Sequence, residues 1–292
     1  MYPSRFRYEA PRSLDEAVAL LRDGGDDAKV LAGGQSLVPL MKLRFASPEL
    51  VVDINNLPGL DYHRADPDGT LHVGALCRHA ALERSSLLAG TQPTMAAAAP
   101  LIADPIVRTR GTLVGSLCHA DPQGDWAAVV LALGGSVIAH GPAGRRAIPM
   151  AGFVTGPFQN TLSPAEIAVE AVIPAAAGTR SGGYLKLERR VGDFATVGVA
   201  VALESGADGV VQRAGIALTG VGGSTIAATE AAAVLTGQSL TAETIAEAAR
   251  LAAAAAQPRT DHRGSAAYKK HMVSTFVQRL LSRAGGAAER AA

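Results

Sequence analysis

The stretch KVLAGGQSLVPLMKLRFASPELVVDI, residues 29–54, decides the fold prediction for the first part of the chain. Its opening run, Lys29 to Ala32, is short and apolar and predicts a β-strand that ends in two glycines. Ser36 can cap a short helix over residues 37–43, and the apolar run Leu50 to Ile54 predicts a second strand. Strand, glycine turn, helix and strand therefore follow one another within this stretch.

A further helix is predicted just upstream. Ser13 and Glu16 have the spacing of a capping box, and Leu14, Val18 and Leu21 recur with a helical period. A turn-rich segment over residues 55–68 then marks a boundary. We expect a first subdomain over residues 1–57 and a second over residues 58–176.

The second subdomain combines short strands and helices. Strands are predicted over residues 70–76 and 166–173, a β-hairpin from the segments 136–140 and 146–150, and helices over residues 79–88 and 94–102. The glycine-containing stretch 104–125 shows no clear period, so we expect it to be irregular.

The remainder of the chain changes character. Three strands are predicted over residues 184–190, 196–204 and 210–218, followed by helices over residues 224–235, 241–256 and 265–283. Strands followed by helices indicate an α+β domain, expected over residues 177–285, with a frayed tail over residues 286–292. The predicted fold class is α+β.

Composition disfavours several classes of function. With 27 Lys and Arg against 26 Asp and Glu, the net charge is +1, whereas nucleic-acid binding needs a basic face. No apolar run approaches the roughly 20 residues of a membrane span, and the N-terminus lacks the apolar core of a secretion signal. We expect a cytoplasmic protein that binds no nucleic acid and spans no membrane.

Familiar nucleotide and metal motifs are absent from the sequence. Gln35 stands where a G-x-G-x-x-G fingerprint needs its second glycine, and no Gly-Lys dipeptide exists for a P-loop. Cys77 and Cys118 are far apart in the sequence and form no C-x-x-C pair. We therefore predict neither a metal site nor a disulfide framework.

Two glycine-rich segments are the first candidate functional elements. Loop 1 is Ala32-Gly33-Gly34-Gln35-Ser36-Leu37, and loop 2 is Gly111-Thr112-Leu113-Val114-Gly115-Ser116. In loop 1, a strand that ends in two glycines before a helix offers free backbone N–H groups, which suit a phosphate or pyrophosphate. Two such loops could clamp one diphosphate, although the pattern of either loop alone favours an ordinary tight turn.

A third candidate is the charged stretch Lys186 to Thr196, which lies between two predicted strands and contains Phe194. It could contribute to a site. The alternative is an edge strand with solvated charges and Phe194 in the core.

Together these three segments resemble the FAD-binding medium subunits of molybdenum hydroxylases. The matching segments run through the chain: loop 1 with its continuation to Arg44, Leu101 to Pro105 leading to Arg108, loop 2, Lys186 to Thr196, and Arg263 to Tyr268. Within that family, the pattern looks most like the medium subunits of aerobic carbon monoxide dehydrogenases.

The resemblance implies two FAD-binding subdomains of the vanillyl-alcohol-oxidase (PCMH) type and a C-terminal domain of a three-stranded antiparallel sheet with three helices. It implies that backbone amides of both loops hold the FAD diphosphate, that Asp125 lies near the ribose or adenine, and that Phe194 shields one face of the isoalloxazine. Ile167 would lie on a strand that lines the cofactor, and Lys186 in a segment that contacts it. The implied cofactor-binding residues are Leu31, Ala32, Gly33, Gly34, Gln35, Ser36, Leu37, Thr112, Leu113, Val114, Gly115, Ser116, Asp125, Ile167, Lys186, Asp193 and Phe194.

The same resemblance implies an electron-transfer subunit with no catalytic residue of its own for the substrate reaction. Substrate would be oxidised at a molybdenum cofactor on a large partner subunit, and electrons would arrive through 2Fe–2S clusters on a small partner. Two cysteines cannot ligate such a cluster in this chain. The flavin would pass electrons to an external acceptor, a quinone or a soluble carrier. A dimer of heterotrimers is expected, in the cytoplasm or brought by its partners to the inner face of the membrane.

Two departures from the family pattern bear on that reading. Val114 replaces a glycine, so either its backbone is in an ordinary region or FAD binding is weakened. Phe194 stands where carbon monoxide dehydrogenases often have tyrosine, which keeps a stacking face but removes a hydroxyl. The alternatives are a medium subunit of an N-heterocycle or aldehyde hydroxylase of the nicotinate or xanthine type, a self-contained flavin oxidase, and an assembly scaffold that has lost FAD.

Overall fold

A parallel sheet opens the chain in the computed structural model, which describes residues 2–288. Its elements are β1 (Arg7–Glu9), α1 (Leu14–Gly24), β2 (Ala28–Leu31), α2 (Leu37–Leu43) and β3 (Leu50–Asp53). The strands lie in the order β1-β3-β2, and β1 was not predicted. The predicted cap of α1 is confirmed, because the Ser13 hydroxyl accepts a hydrogen bond from the Glu16 amide at 3.2 Å. The Glu16 carboxylate accepts from the amide of Arg12 at 2.7 Å, one residue before the position that a capping box requires.

An antiparallel sheet forms the centre of the second region. The strands of this region are β4 (His63–Ala65), β5 (Leu71–Gly74), β6 (Ser136–Gly141), β7 (Gly144–Pro149), β8 (Val154–Gly156), β9 (Gln159–Asn160) and β10 (Ile167–Ile173). Five of them form one sheet in the order β4-β5-β10-β6-β7, while β8 and β9 pair with each other. The predicted hairpin is confirmed as β6 and β7.

Short helices connect these strands. They are α3 (His79–Glu83), α4 (Ser86–Thr91), α5 (Pro93–Ala98), α6 (Pro105–Arg108), α7 (Leu113–His119), α8 (Asp125–Ala132) and α9 (Met150–Phe153), with 3₁₀ turns over Gly25–Asp27 and Ala99–Leu101. The irregular stretch predicted over residues 104–125 is wrong in part, because it contains α6 and α7. Asp104 caps α6 and Thr112 caps α7, and these helices of 4 and 7 residues are too short to show an apolar period. The single helix predicted over residues 79–88 is divided at Ser85, whose hydroxyl caps α4.

The C-terminal region is a sheet covered by helices. Its elements are β11 (Thr179–Leu187), β12 (Val197–Ser205), β13 (Val211–Thr219), β14 (Ile226–Ala227), α10 (Thr229–Ala233), α11 (Ala242–Ala255) and α12 (Ala266–Ala288). The expected three-stranded sheet has a short fourth strand, because β14 pairs with the outer edge of β13. The helix predicted from residue 224 therefore begins only at Thr229.

The end of the chain also differs from the prediction where it is described. Helix α12 continues to Ala288, so residues 286–288 are helical rather than frayed. The rest of the predicted tail, residues 289–292, lies outside the described residues.

Two hydrophobic cores meet along β12. Val197, Val199 and Val201 face the core formed with the C-terminal helices. Ala200 and Ala202 face the opposite way, into the core that the first two regions share. Because successive side chains of a strand point to opposite faces, β12 is buried on both sides and fixes the C-terminal region against the rest. No helix in the described part of the chain is long and apolar enough to cross a membrane.

Candidate functional site

Loop 1 and loop 2 lie directly against each other. Gly33 makes the contact, since a Cβ atom there would lie 2.3 Å from the carbonyl oxygen of Arg110 and 2.8 Å from Cα of Gly111. No other residue permits two backbones to approach so closely without displacement. The two loops are therefore one continuous surface, which the interpretation as separate tight turns does not explain.

Asn55 and Arg78 hold the two loops together. Asn55, just after β3, donates from Nδ2 to the carbonyl oxygen of Ala32 at 2.8 Å and accepts from Nη2 of Arg78 at 2.6 Å. Arg78 also donates to the carbonyl oxygen of Arg110 at 2.9 Å. Neither residue was predicted from the sequence. The one signal for Asn55 was a polar side chain immediately after a buried strand.

Several backbone amides of loop 1 are open, that is, they have no hydrogen-bond partner among the described residues. Gly34 has φ of +72°, which turns the chain from β2 into α2. The first hydrogen bonds of α2 run from the amide of Val38 to Gly34 and from the amide of Leu40 to Ser36. The amides of residues 35–37 have no partner within the part of the chain that the structure describes. This cluster of free N–H groups can donate hydrogen bonds to a bound anion.

Ser36 occupies the predicted N-cap position of α2, but the predicted cap is wrong. Its hydroxyl makes no capping hydrogen bond, because its backbone is already helical (φ −108°, ψ −51°) rather than extended. The hydroxyl is therefore left beside the open amides, where it can also donate to an anion.

Loop 2 forms the capped start of α7. The Thr112 hydroxyl accepts from the amide of Gly115 at 3.1 Å, and a Cβ at Gly115 would lie 2.7 Å from that hydroxyl. The amide of Val114 has no hydrogen-bond partner among residues 2–288, whereas the amide of Leu113 belongs to the antiparallel bridge between Arg78 and Thr112. Loop 2 thus adds one open amide next to those of loop 1.

Val114 has an ordinary backbone. It lies in the first turn of α7 without a positive φ, and its side chain is 2% exposed in the core beneath the loop. The departure from glycine therefore neither strains the loop nor places a Cβ over its open face. This removes the feature that favoured a scaffold unable to hold FAD.

An open cleft of about 550 Å³ lies beside loop 1 on the side of α2. Apolar side chains and two cations form its walls. The lining residues are Leu31, Ala32, Gly33, Gly34, Gln35, Val38, Pro39, Lys42, Leu43 and Arg110. Apolar walls beside the cations Lys42 and Arg110 suit a ligand in which a flat, largely apolar group adjoins a negatively charged one.

Asp125 and Lys186 come together in a buried ion pair. Their side chains are 7% and 1% exposed, with Nζ of Lys186 lying 3.1 Å from Oδ2 of Asp125. The Tyr184 hydroxyl donates to the other carboxylate oxygen, and Lys186 also donates to the carbonyl oxygen of Leu101 at 3.0 Å. Burial raises the pKa of Asp125, an effect that the charge of Lys186 opposes. Lys186 also lies 3.4 Å from a carboxylate oxygen of Glu188, so its charge is compensated and these groups act chiefly through the backbone that they fix.

Phe194 is exposed, which contradicts the alternative that places it in the core. The residue is 51% exposed, and its amide donates to Oδ1 of Asp193 at 2.9 Å. That hydrogen bond is the main reason that the pKa of Asp193 is lowered. Ile167 differs, because its side chain is fully buried in β10, so it can line a cofactor only through its backbone.

His79 supports loop 2 from below, a role that was not predicted from the sequence. Its amide donates to the carbonyl oxygen of Gly111 at 2.9 Å, and a Cβ at Gly111 would lie 2.7 Å from the imidazole ring. Nδ1 accepts from the indole of Trp126 at 3.0 Å. Burial lowers the pKa of His79 to about 4, so the ring is neutral and its proton is on Nε2.

The described residues contain no cluster of three or more His, Cys, Asp or Glu arranged to hold a metal ion. Cys77 lies 3.7 Å from Nδ1 of His63, and burial raises the pKa of both Cys77 and Cys118 to about 12. Thiols with such a pKa are poor nucleophiles and poor ligands.

Two family models together match most of the chain. The model described as the FAD binding domain in molybdopterin dehydrogenase matches residues 4–176, and the one described as the CO dehydrogenase flavoprotein C-terminal domain matches residues 183–284.

Known proteins of similar sequence are matched over nearly their whole length. The carbon monoxide dehydrogenase medium chain of Hydrogenophaga pseudoflava is 41% identical, with 97% of this chain and 98% of that protein covered. The 6-hydroxypseudooxynicotine dehydrogenase complex subunit alpha of Paenarthrobacter nicotinovorans is 39% identical, with 97% and 96% covered. In structure, a chain of carbon monoxide dehydrogenase from Hydrogenophaga pseudoflava, in a form that lacks the Mo-pyranopterin moiety of the molybdenum cofactor, superposes with a TM-score of 0.93, 43% identity and 99% of both chains covered.

Proposed function

The chain belongs to the family of FAD-binding medium subunits of molybdenum hydroxylases, and from that premise we propose that it serves an enzyme that oxidises carbon monoxide. It is an oxidoreductase subunit whose cofactor is FAD. The observation that supports carbon monoxide as the substrate is the 41% identity over 97% of the chain to a carbon monoxide dehydrogenase medium chain.

The residues at the two loops fit the diphosphate of FAD. The open amides of residues 35–37 and of Val114 supply donors for phosphate oxygens, and Gly33 lets the two loops meet. Thr112, Leu113, Gly115 and Ser116 shape loop 2 around the amide of Val114, because the amides of Gly115 and Ser116 donate to Thr112. Ala32 and Gln35 shape loop 1, and Leu31 and Leu37 lie at its ends. The adjoining cleft, with Lys42 and Arg110, offers room for the adenosine half.

The redox end of the cofactor would lie toward the C-terminal region. Asp125 is paired with Lys186 and would therefore lie at this end, rather than near the ribose or adenine as the resemblance implies. Ile167 contributes backbone from β10, and Asp193 holds the backbone that presents Phe194. An aromatic ring that is exposed on a held backbone suits stacking on one face of a flat heterocycle.

When bound, FAD supplies electron-accepting and electron-donating chemistry, and the protein supplies binding, orientation and electrostatics. In this chain, the loop amides bind and orient the diphosphate, and Phe194 excludes water from one face of the isoalloxazine ring. The ammonium of Lys186 is already paired with the carboxylates of Asp125 and Glu188, so its role is to fix the backbone around it. No residue of this chain needs to contact the substrate.

The remaining roles fall to partners. We infer a large subunit with the molybdenum cofactor and a small subunit with 2Fe–2S clusters, arranged as a dimer of heterotrimers. An external acceptor, a quinone or a soluble carrier, would receive the electrons in the cytoplasm or, through the partners, at the inner face of the membrane. The two cysteines of this chain, both with a pKa near 12, support placing the clusters elsewhere.

The test is a set of anaerobic visible spectra of the complex purified from its native source. Addition of carbon monoxide is expected to bleach the flavin and iron–sulfur bands to the extent that dithionite does, whereas nitrogen leaves them unchanged. Bands that stay oxidised with carbon monoxide and bleach with dithionite would overturn the substrate and retain the family.

A second candidate substrate class is an N-heterocyclic compound. The 39% identity to a subunit of 6-hydroxypseudooxynicotine dehydrogenase favours it. The same anaerobic experiment with nicotine-derived heterocycles distinguishes the two, because the bands then bleach with the heterocycle and not with carbon monoxide.

A further inference from the structure

The segment Arg263 to Tyr268 matches the family pattern, yet nothing in the cofactor site described above uses it. Its first residue belongs to a tight turn over residues 259–265, here called the Arg263 turn, which leads into α12. Asp261 and Gly264 exchange two backbone hydrogen bonds of 3.1 Å, and Oδ1 of Asp261 accepts from the amide of Arg263 at 2.9 Å. The turn is therefore well determined by its own hydrogen bonds.

A buried lysine braces the turn from inside α12. Lys269 is 3% exposed and donates from Nζ to the carbonyl oxygen of Arg259 at 3.0 Å and to Oδ2 of Asp261 at 2.7 Å. The bond from Lys269 is the main cause that lowers the pKa of Asp261. The buried ammonium of Lys269 therefore fixes the shape of the Arg263 turn.

The Arg263 turn reaches across to the loop that carries Phe194. Nη1 of Arg263 donates to the carbonyl oxygen of Phe194 at 3.1 Å, and Nη2 lies 3.6 Å from Oδ1 of Asp193. The Arg263 side chain is only 12% exposed. These contacts connect residues that are 69 positions apart in the sequence.

The backbone of Phe194 is consequently held on both sides. Asp193 accepts from its amide, and Arg263 donates to its carbonyl oxygen, while its ring remains exposed. On the far side of the loop, Gly192 lies close to the Ala103–Asp104 turn, where a Cβ would come within 3.0 Å of backbone atoms. An exposed ring on a backbone fixed at both ends is pre-organised for stacking.

We propose that Arg263 is a positioning residue that orients the Phe194 ring on the bound flavin. The proposal rests on the proposed function of Phe194. Arg263 itself does not contact the cofactor. It acts through the Phe194 carbonyl and the Asp193 carboxylate, and Lys269 and Asp261 keep it in place.

A double-mutant cycle in the assembled complex tests this proposal. Phe194→Ala, Arg263→Met and the double variant are each freed of FAD, titrated with FAD for the dissociation constant, and measured for the flavin midpoint potential. Arg263→Met is expected to weaken FAD binding about tenfold, because it removes a charged donor to a backbone carbonyl. If Arg263 acts through Phe194, the double variant binds FAD no more weakly than Phe194→Ala, and its potential equals that of Phe194→Ala.

Matched controls keep the outcome interpretable. Arg259→Met changes an exposed arginine of the same turn and should leave FAD affinity and potential unchanged. Arg263→Lys should restore part of the affinity, since an ammonium can still donate to one carbonyl oxygen but cannot form the guanidinium fork.

Two failures are distinguishable. Additive effects of Arg263→Met and Phe194→Ala on affinity and potential would overturn the positioning role while leaving the proposed function intact. No effect of Phe194→Ala, or no FAD binding by the wild-type complex, would overturn the proposed role of Phe194 itself.

Discussion

Gly33 and Gly34 meet two different requirements within loop 1. Gly34 supplies a positive φ, whereas Gly33 supplies the absence of a side chain where the backbone of Arg110 approaches. The sequence shows both as glycine and cannot separate the two. Only the spatial neighbour, which lies far along the chain, shows that Gly33 joins the loops.

Gly33→Ala is expected to separate loop 1 from loop 2. The added Cβ would lie 2.3 Å from a backbone oxygen that cannot rotate away, so the loops must shift. We expect a loss of about 2 kcal/mol in the free energy of unfolding and a FAD affinity at least tenfold lower. Thermal unfolding and FAD titration measure the two effects. Gly90→Ala is the control, because a Cβ there meets nothing within 4 Å; equal behaviour of both variants would contradict the prediction.

His79 makes the support of loop 2 sensitive to acid. Its pKa is lowered from 6.5 to about 4 by burial, so the folded state favours the neutral ring. The stability contributed by this preference is complete above pH 6.5 and is lost as the pH falls toward 4, by up to about 3 kcal/mol.

His79→Gln should therefore remove that part of the acid sensitivity, since glutamine does not titrate. The measurement is the free energy of unfolding at several pH values between 7 and 4, compared with wild type. His271→Gln, at an exposed histidine, should retain the wild-type slope. An unchanged slope in His79→Gln would show that protonation of this ring does not limit stability.

Among the elements, helix α7 shows why Val114, which replaces the usual glycine of the family, does not strain loop 2. Val114 directs its side chain into the core while its amide stays in the open first turn of the helix. A helix separates the two functions because side chain and amide point in different directions. The sequence alone cannot reveal this, since the seven-residue α7 has no readable period and was expected to be irregular.

Val114→Gly, which restores the usual family residue, is expected to destabilise the protein and leave FAD affinity within about twofold of wild type. The loss is about 3 kcal/mol, from the deleted core side chain and the lower helix propensity of glycine. Val114→Ala separates these contributions, since it retains helix propensity. Chemical unfolding and FAD titration provide the measurements. A marked gain in FAD affinity for the glycine variant would show instead that valine weakens the site.

Regular elements with side-chain signals were predictable from the sequence, and those made by tertiary pairing were not. The Ser13 cap and the β6–β7 hairpin depend on neighbours within a few residues, so local pattern sufficed. Strand β1 forms because it pairs with β3, which is distant in the sequence. Strand β14 forms because it pairs with the outer edge of β13. The site followed the same rule: the loops were recognisable, whereas Asn55 and Arg78 became meaningful only in space.

At the scale of the whole molecule, the C-terminal region is fixed against the rest by a buried ionic cluster as well as by β12. Oε1 of Glu204 lies 3.3 Å from Nη2 of Arg180 and 3.1 Å from Nη1 of Arg213. Arg213 also donates to the carbonyl oxygen of Ala132 at the end of α8, 3.2 Å away. The amide of Ala177, in the segment between β10 and β11, donates to the second oxygen of Glu204 at 3.2 Å. The carboxylate of Glu204 thus connects β12 to that segment directly and to α8 through Arg213.

This connection matters for the proposed site because Lys186 and Phe194 come from the C-terminal region, whereas both loops come from the first two. Glu204→Gln leaves two arginines near a neutral group and is expected to lower the free energy of unfolding by about 3 kcal/mol. Since β12 belongs to both cores, we expect the variant to unfold in a single transition, with far-UV circular dichroism and flavin absorbance changing together. Glu247→Gln, which removes an exposed pair with Arg250, should change little. If flavin were released well before the helices unfold, the C-terminal region would be separable from the loops, and the shared strand alone would not suffice to couple them.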